Sequence, residues 1–161
     1  MRKLLVIVSL LFLWSCSKAP TEFSEKALGE ILLNRNNEEV LFKDILEKYR
    51  GEKILIDVWA SWCKDCIIGL PNLKKLQSEN QNVQYVFLSL DRTSKSWKRG
   101  VDRFQIKGDH YFMKEGKKGA LGEFLNLWWI PRYVVVDESG RIALFKATKI
   151  TDKKILEALK K

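Results

Sequence analysis

At 161 residues and 46% hydrophobic composition, the chain has the length of one globular domain and enough apolar side chains to pack a core. Its formal charge is +9, from 29 basic and 20 acidic residues. The basic residues are interleaved with acids along the whole chain and form no basic arm, which excludes a dedicated nucleic-acid tail and leaves a solvated, mildly cationic surface.

In chain order, Arg2 and Lys3 followed by the apolar run 4–14 have the pattern of a signal peptide, too short to span a bilayer, which takes about 20 apolar residues. Residues 1–15 are therefore set aside, which lowers the formal charge from +9 to about +7 because Arg2 and Lys3 go with them. Residues 16–27 are short, polar and hold Pro20, and read as a tether ahead of a domain over 28–161. Residues 28–33 and 39–41 are expected to pair as a hairpin around the turn-like "NRNN". Phe42, Ile45, Leu46 and Tyr49 recur at helical spacing, with Gly51 as a stop. "KILIDVW", residues 53–59, is a continuous apolar run broken only by Asp57 and fits a strand buried on both faces.

Residues 63–80 read as a long helix with Ile67, Leu70, Leu73 and Leu76 on one face and Pro71 inside it. A second buried strand follows at 83–91, then a helix at 94–104 with Trp97, Val101 and Phe104 inward. Residues 105–119 carry four lysines and three glycines; they read as an irregular basic loop, with His110 on its surface. A short helix at 121–127 leads to Trp128, Trp129, Ile130 and Pro131. Residues 133–145 form the clearest hairpin, and Thr151 is expected to cap a last helix with Ile155, Leu156 and Leu159 inward. Strands alternating with helices and closing on an antiparallel hairpin predict an α/β fold, a central mixed sheet with helices on both faces.

The chemistry is concentrated in "SWCKDC", residues 61–66. If a helix begins at Cys63, then Cys63 and Cys66 lie on one side of its first turn, about 5 to 6 Å apart, which is the separation a disulfide needs. Such a bond opens readily, because a loop this short holds little closure entropy against reduction. The partial positive charge of a helix N-terminus favours thiolate at Cys63, which makes Cys63 the attacking sulfur and Cys66 the resolving one. A closed zinc site takes four ligands, and beyond the pair the chain offers one histidine, His110, in a basic loop, so no metal and no separate cofactor are expected. A purely structural staple gains little from so small a loop. Asp57, placed among Ile, Leu and Val, is expected to have a raised pKa and to exchange protons with Cys66; its alternative is a strand-end carboxylate facing water.

"LIDVWASWCKDC" followed by "IIGLP", then "VFLSLD" and "WIPRYVVVDESGRI", resembles the thioredoxin superfamily, in particular its TlpA-like, membrane-tethered thiol-disulfide oxidoreductases, over about residues 28–160. The resemblance implies a thioredoxin-like fold and a cis peptide bond at Ile130–Pro131 beside the disulfide, where the Ile130 backbone can pair with an extended client segment. It places Trp62 over the sulfurs as a client-facing surface and Trp59 in the core; Arg132 departs from it, standing after the cis-proline where the family commonly has threonine, and is expected to bring positive charge to the client groove. Phe87 stands where thioredoxin has a lysine, which leaves Asp57 without a cation to help it ionise. Lys64 and Asp65 replace the Gly-Pro of thioredoxin between the two cysteines, one favouring the thiolate and the other opposing it. Leu13, Trp14, Ser15 and Cys16 resemble a lipobox, with Cys16 lipidated; this accounts for the odd third cysteine and leaves Cys63 and Cys66 as the only pair.

The expected activity is disulfide exchange with extracytoplasmic client proteins, as a reductant fed by a membrane electron donor. The protein is expected to be a monomer, held by its lipid at the cell envelope with the outer membrane favoured by Ser17. A redoxin-type peroxidase is the competing enzyme, but the proline and threonine that chemistry places ahead of its cysteine are Ile56 and Ala60 here. A peptide-binding module without catalysis is the third reading, against which the intact cysteine pair stands.

Overall fold

The computed structural model describes residues 19–160; the expected leader over 1–15 and the expected lipidation site Cys16 lie outside them. Strands β1 (Ile31–Leu33) and β2 (Glu39–Leu41) make the expected hairpin, and helices α1 (Glu25–Leu28) and α2 (Phe42–Lys48) flank it. The centre is built by β3 (Lys53–Trp59), α3 (Lys64–Glu79), β4 (Val83–Ser89) and α4 (Ser94–Phe104). Then follow β5 (Asp109–Phe112), a single 3-10 turn, α5 (Ala120–Phe124), the β6–β7 pair (Arg132–Val136, Ile142–Ala147) and α6 (Lys153–Lys160).

The strands form one sheet in the order β2-β1-β5-β4-β3-β6-β7. Strands β3, β4 and β5 run parallel, and the remaining pairings are antiparallel. Because the side-chain period of a strand is two, each central strand supplies both faces. Leu55 and Trp59 join Tyr85, Phe87, Tyr133 and Val135 under α3, α4 and α6. Ile54, Ile56 and Val58 join Val86, Leu88, Val134 and Val136 under α1, α2 and α5. The sheet is thus covered on both sides, and β3 and β4 are apolar along nearly their whole length for that reason.

Three expectations about the frame change. The domain starts before residue 28: Phe23 and Ala27 are buried against Phe42, and the Ile142 N–H donates to the Thr21 carbonyl at 2.8 Å, so the latter part of the expected tether is core. Residues 109–112 form a strand where a loop was expected. β5 pairs with β4 and β1, and His110, expected on the surface, is buried with its Nε2 at 2.9 Å from the Ile106 carbonyl and its ring stacked on Phe87. At the C-terminus Asp152, one residue after Thr151, caps α6 by accepting the Lys154 N–H at 3.0 Å; Ala158 turns inward and Leu156 outward.

Candidate active site

The site lies past the C-terminal end of β3, where a parallel sheet leaves room for chemistry. Two sets of hydrogen bonds hold the turn that leads into α3. The Leu90 N–H donates to the Trp59 carbonyl at 2.8 Å, and the Cys63 N–H to the Ala60 carbonyl at 3.0 Å. Asp91, buried at the end of β4, accepts from the Ser61 N–H at 3.0 Å, the Ser61 hydroxyl at 2.6 Å and the Ser89 hydroxyl at 2.8 Å. From above, α4 approaches so closely at Gly100 that a Cβ there would lie 2.5 Å from the Ser61 Cβ. Neither residue stood out in the sequence, where 83–91 reads as a buried strand and 94–104 as a helix with Trp97, Val101 and Phe104 inward.

Asp91 is therefore a test of how much the turn depends on one side chain. Asp91→Ala orphans three donors, one of them backbone, and is expected to cost about 2 to 4 kcal/mol of stability while lowering disulfide exchange. Denaturant unfolding alongside an activity assay checks it; an unchanged midpoint would contradict this account of the turn.

Cys63 is the N-cap of α3, its sulfur accepting the Cys66 N–H at 3.2 Å. The two sulfurs are bonded, with Cα atoms 5.3 Å apart, as the helical spacing requires. The residues are 5% and 4% exposed, respectively, so burial does not distinguish them. Their places on the helix do: Cys63 meets the positive end of the dipole, and Cys66 lies one turn inward. Ile130–Pro131 is a cis peptide bond, and the Ile130 carbonyl oxygen is 3.7 Å from the Cys63 sulfur. The bridged sulfur has no proton to donate, so this contact marks proximity between the disulfide and the proline loop.

Trp59 is core, whereas Trp62, beside Cys63, is 61% exposed. Trp128, in the loop before the cis-proline, is 84% exposed, and Trp129 is also open to solvent. A groove of about 380 Å³ runs beside α3, lined by Ile68, Gly69, Trp129, Pro131, Tyr133 and Ile150 among others.

Arg132 is corrected. It is 1% exposed and contributes no charge to the groove. Strand alternation sends it to the opposite face of the sheet from Tyr133, where its guanidinium donates to the Leu125 carbonyl and, at 3.0 Å, to the Asn126 carbonyl. Its place is beneath the loop that carries the two exposed tryptophans.

Asp57 is buried on the disulfide face of β3, its Oδ1 without a hydrogen-bond partner, and burial pushes its pKa up to about 8. In register beside it on β4 is Phe87, so the missing cation noted in the sequence is missing from the structure at that position. Among the described residues, no group of three or more His, Cys, Asp or Glu side chains is gathered that could hold a metal ion.

A disulfide at a helix N-terminus, a cis-proline beside it and a buried acid on the same face of the sheet, with that sheet covered on both sides, define a protein of the thioredoxin kind. The chain belongs to the thioredoxin-like family, whose model matches residues 51–142, and within it to the TlpA-like thiol-disulfide oxidoreductases. It is 27% identical over 135 residues to the thiol:disulfide interchange protein DsbE of Haemophilus influenzae, covering 84% of this chain and 69% of that one. Thioredoxin-like protein YneN of Bacillus subtilis is 27% identical over 121 residues, 73% of this chain and 69% of that protein. The solution structure of a candidate thiol-disulfide oxidoreductase from Bacteroides vulgatus superposes with a TM-score of 0.68 at 30% identity, covering 84% of this chain and 87% of that one.

Proposed function

We propose that the protein reduces disulfides in extracytoplasmic client proteins through Cys63 and Cys66. The observation that carries this is the placement of one sulfur: Cys63 caps α3, accepts the Cys66 N–H, and lies beside the Ile130 carbonyl at the cis-proline. A client segment pairs with the Ile130 backbone and is overhung by Trp62, and the Cys63 thiolate attacks its disulfide. One client sulfur leaves as thiolate, and a mixed disulfide joins Cys63 to the other. Cys66 then gives its proton to the Asp57 carboxylate and attacks Cys63, which closes the 63–66 bond and releases the reduced client. A membrane electron donor then returns two electrons to the 63–66 disulfide and restores the two thiols.

The leader, the lipobox-like sequence at Cys16 and the charge of about +7 that follows it support a lipid-anchored protein at the envelope. No helix among the described residues is long and apolar enough to cross a membrane. Mass spectrometry of the membrane fraction, with and without Cys16→Ala, tests the anchor. The activity is tested by insulin-disulfide reduction beside peroxide turnover, with the equilibrium potential of the 63–66 bond measured against glutathione. Reduction of insulin and a potential near that of thioredoxin, about −270 mV, support the reductant. Peroxide turnover without insulin reduction would give the peroxidase instead, and a potential near −120 mV would reverse the direction of exchange.

A further inference from the structure

In the reading above Asp57 takes the Cys66 proton, and a groove open to solvent runs along α3 on the same face of the sheet. Phe87 on β4, Asp57 on β3 and Tyr133 on β6 are in register in one row across the sheet, all on the face that α3 covers. On the β4 side the row is closed by Phe87, whose ring stacks on the buried His110 at 4.8 Å. On the β6 side Tyr133 is directly opposite Asp57 in an antiparallel pair, which puts the two Cβ atoms about 5 Å apart. From there the phenol runs outward under α3. Its hydroxyl would be 3.6 Å from a Cβ on Gly69, one turn past Cys66, and the residue forms part of the groove lining. Tyr133 itself is 1% exposed. The same side chain thus reaches from the position opposite Asp57 to the groove lining, and the absence of a side chain at Gly69 leaves room for its tip.

We infer that Tyr133 is a positioning residue whose ring seals the Asp57 carboxyl from groove water, so that Asp57 exchanges its proton with Cys66 and not with solvent. This rests on the reading of Asp57 as the proton partner of Cys66. It adds no covalent step: the proton passes from the Cys66 thiol to the carboxylate as the Cys66 sulfur attacks and the Cys63–client bond breaks. The groups facing Asp57 are few. Phe87 carries no charge, and His110 behind it is kept neutral by burial. Tyr133 is held protonated by burial and by the nearby Asp57. Cys66, on α3, belongs to the same buried cluster as Phe87 and Tyr133. Burial is the cause of the raised Asp57 pKa, so water exclusion is the quantity the ring controls.

The test is the carboxyl titration of Asp57 by carbon NMR in the oxidised protein, together with the pH midpoint of mixed-disulfide resolution. Tyr133→Phe keeps the ring and is expected to titrate with the wild type. Tyr133→Leu shortens the plug and is expected to lower the Asp57 pKa by at least about one unit toward the ordinary carboxylate range, the kinetic midpoint moving with it. On an Asp57→Asn background the same change is expected to leave the pH profile alone. Tyr133→Met, a longer replacement, serves if the leucine variant does not fold. An Asp57 titration unmoved by shortening Tyr133, or moved as far by Phe as by Leu, overturns the seal. If wild-type Asp57 itself titrates in the ordinary range, the proton-partner reading falls, and the inference with it.

Discussion

Cys66→Ala is expected to stop turnover and to leave a client joined to Cys63, one client per protein, while Cys63→Ala neither reduces nor traps. The asymmetry follows from the geometry. The Cys63 sulfur is at the helix cap and beside the proline loop, where an incoming strand would lie, whereas Cys66 is one turn further in. Without Cys66 the first exchange still runs to the mixed disulfide, and nothing within the protein can resolve it. Non-reducing electrophoresis of each variant after incubation with a disulfide-bonded client reads both outcomes. Trapping by Cys63→Ala through Cys66 would reverse the assignment of the two sulfurs.

Asp57→Asn is expected to make the protein more stable and less active. The folded pKa of about 8 is above the unfolded value of 3.8, so between those limits the folded chain holds a proton that the unfolded chain has released. Wild-type stability therefore falls as pH rises from about 4 to about 8. An amide of the same shape removes that dependence. The two proteins should match near pH 4 and differ by about 4 kcal/mol in favour of the variant at pH 7, from about 1.36 kcal/mol per pKa unit. Exchange should slow by about 10² or more, the usual worth of a placed proton acceptor, and lose its rise near pH 8. Urea unfolding at several pH values and the pH profile of insulin reduction check the two parts; parallel stability curves would show that Asp57 is ionised or solvated in the folded protein.

The strands and helices around the disulfide were legible because their patterns are strong. "KILIDVW" forms a strand over its full length, Ser94–Phe104 is helical to both ends, and the pairing of Cys63 with Cys66 follows from their spacing. Phe87 was legible through the resemblance, which puts it where thioredoxin has a lysine, and the parallel register of β3 and β4 does set it beside Asp57. Strand β5 was not, because "DHYF" is short and half polar; it becomes a strand only by completing pairings with β4 and β1. Arg132 was misplaced for a different reason. Position after the proline suggested the groove, but alternation allows only one of two adjacent strand residues to face it, and Tyr133 occupies that side. The network of Asp91 with Ser61 and Ser89 spans residues from two strand ends, so no local pattern carries it.

Disulfide exchange by this protein depends on the ionisation of Cys63, and alkylation of the reduced protein by iodoacetamide across pH, with the modified cysteine identified by mass spectrometry, measures it directly. Label is expected on Cys63 first, with a midpoint at least about one unit below the 8.5 of free cysteine. A midpoint at or above that value, or label arriving first at Cys66, would contradict it.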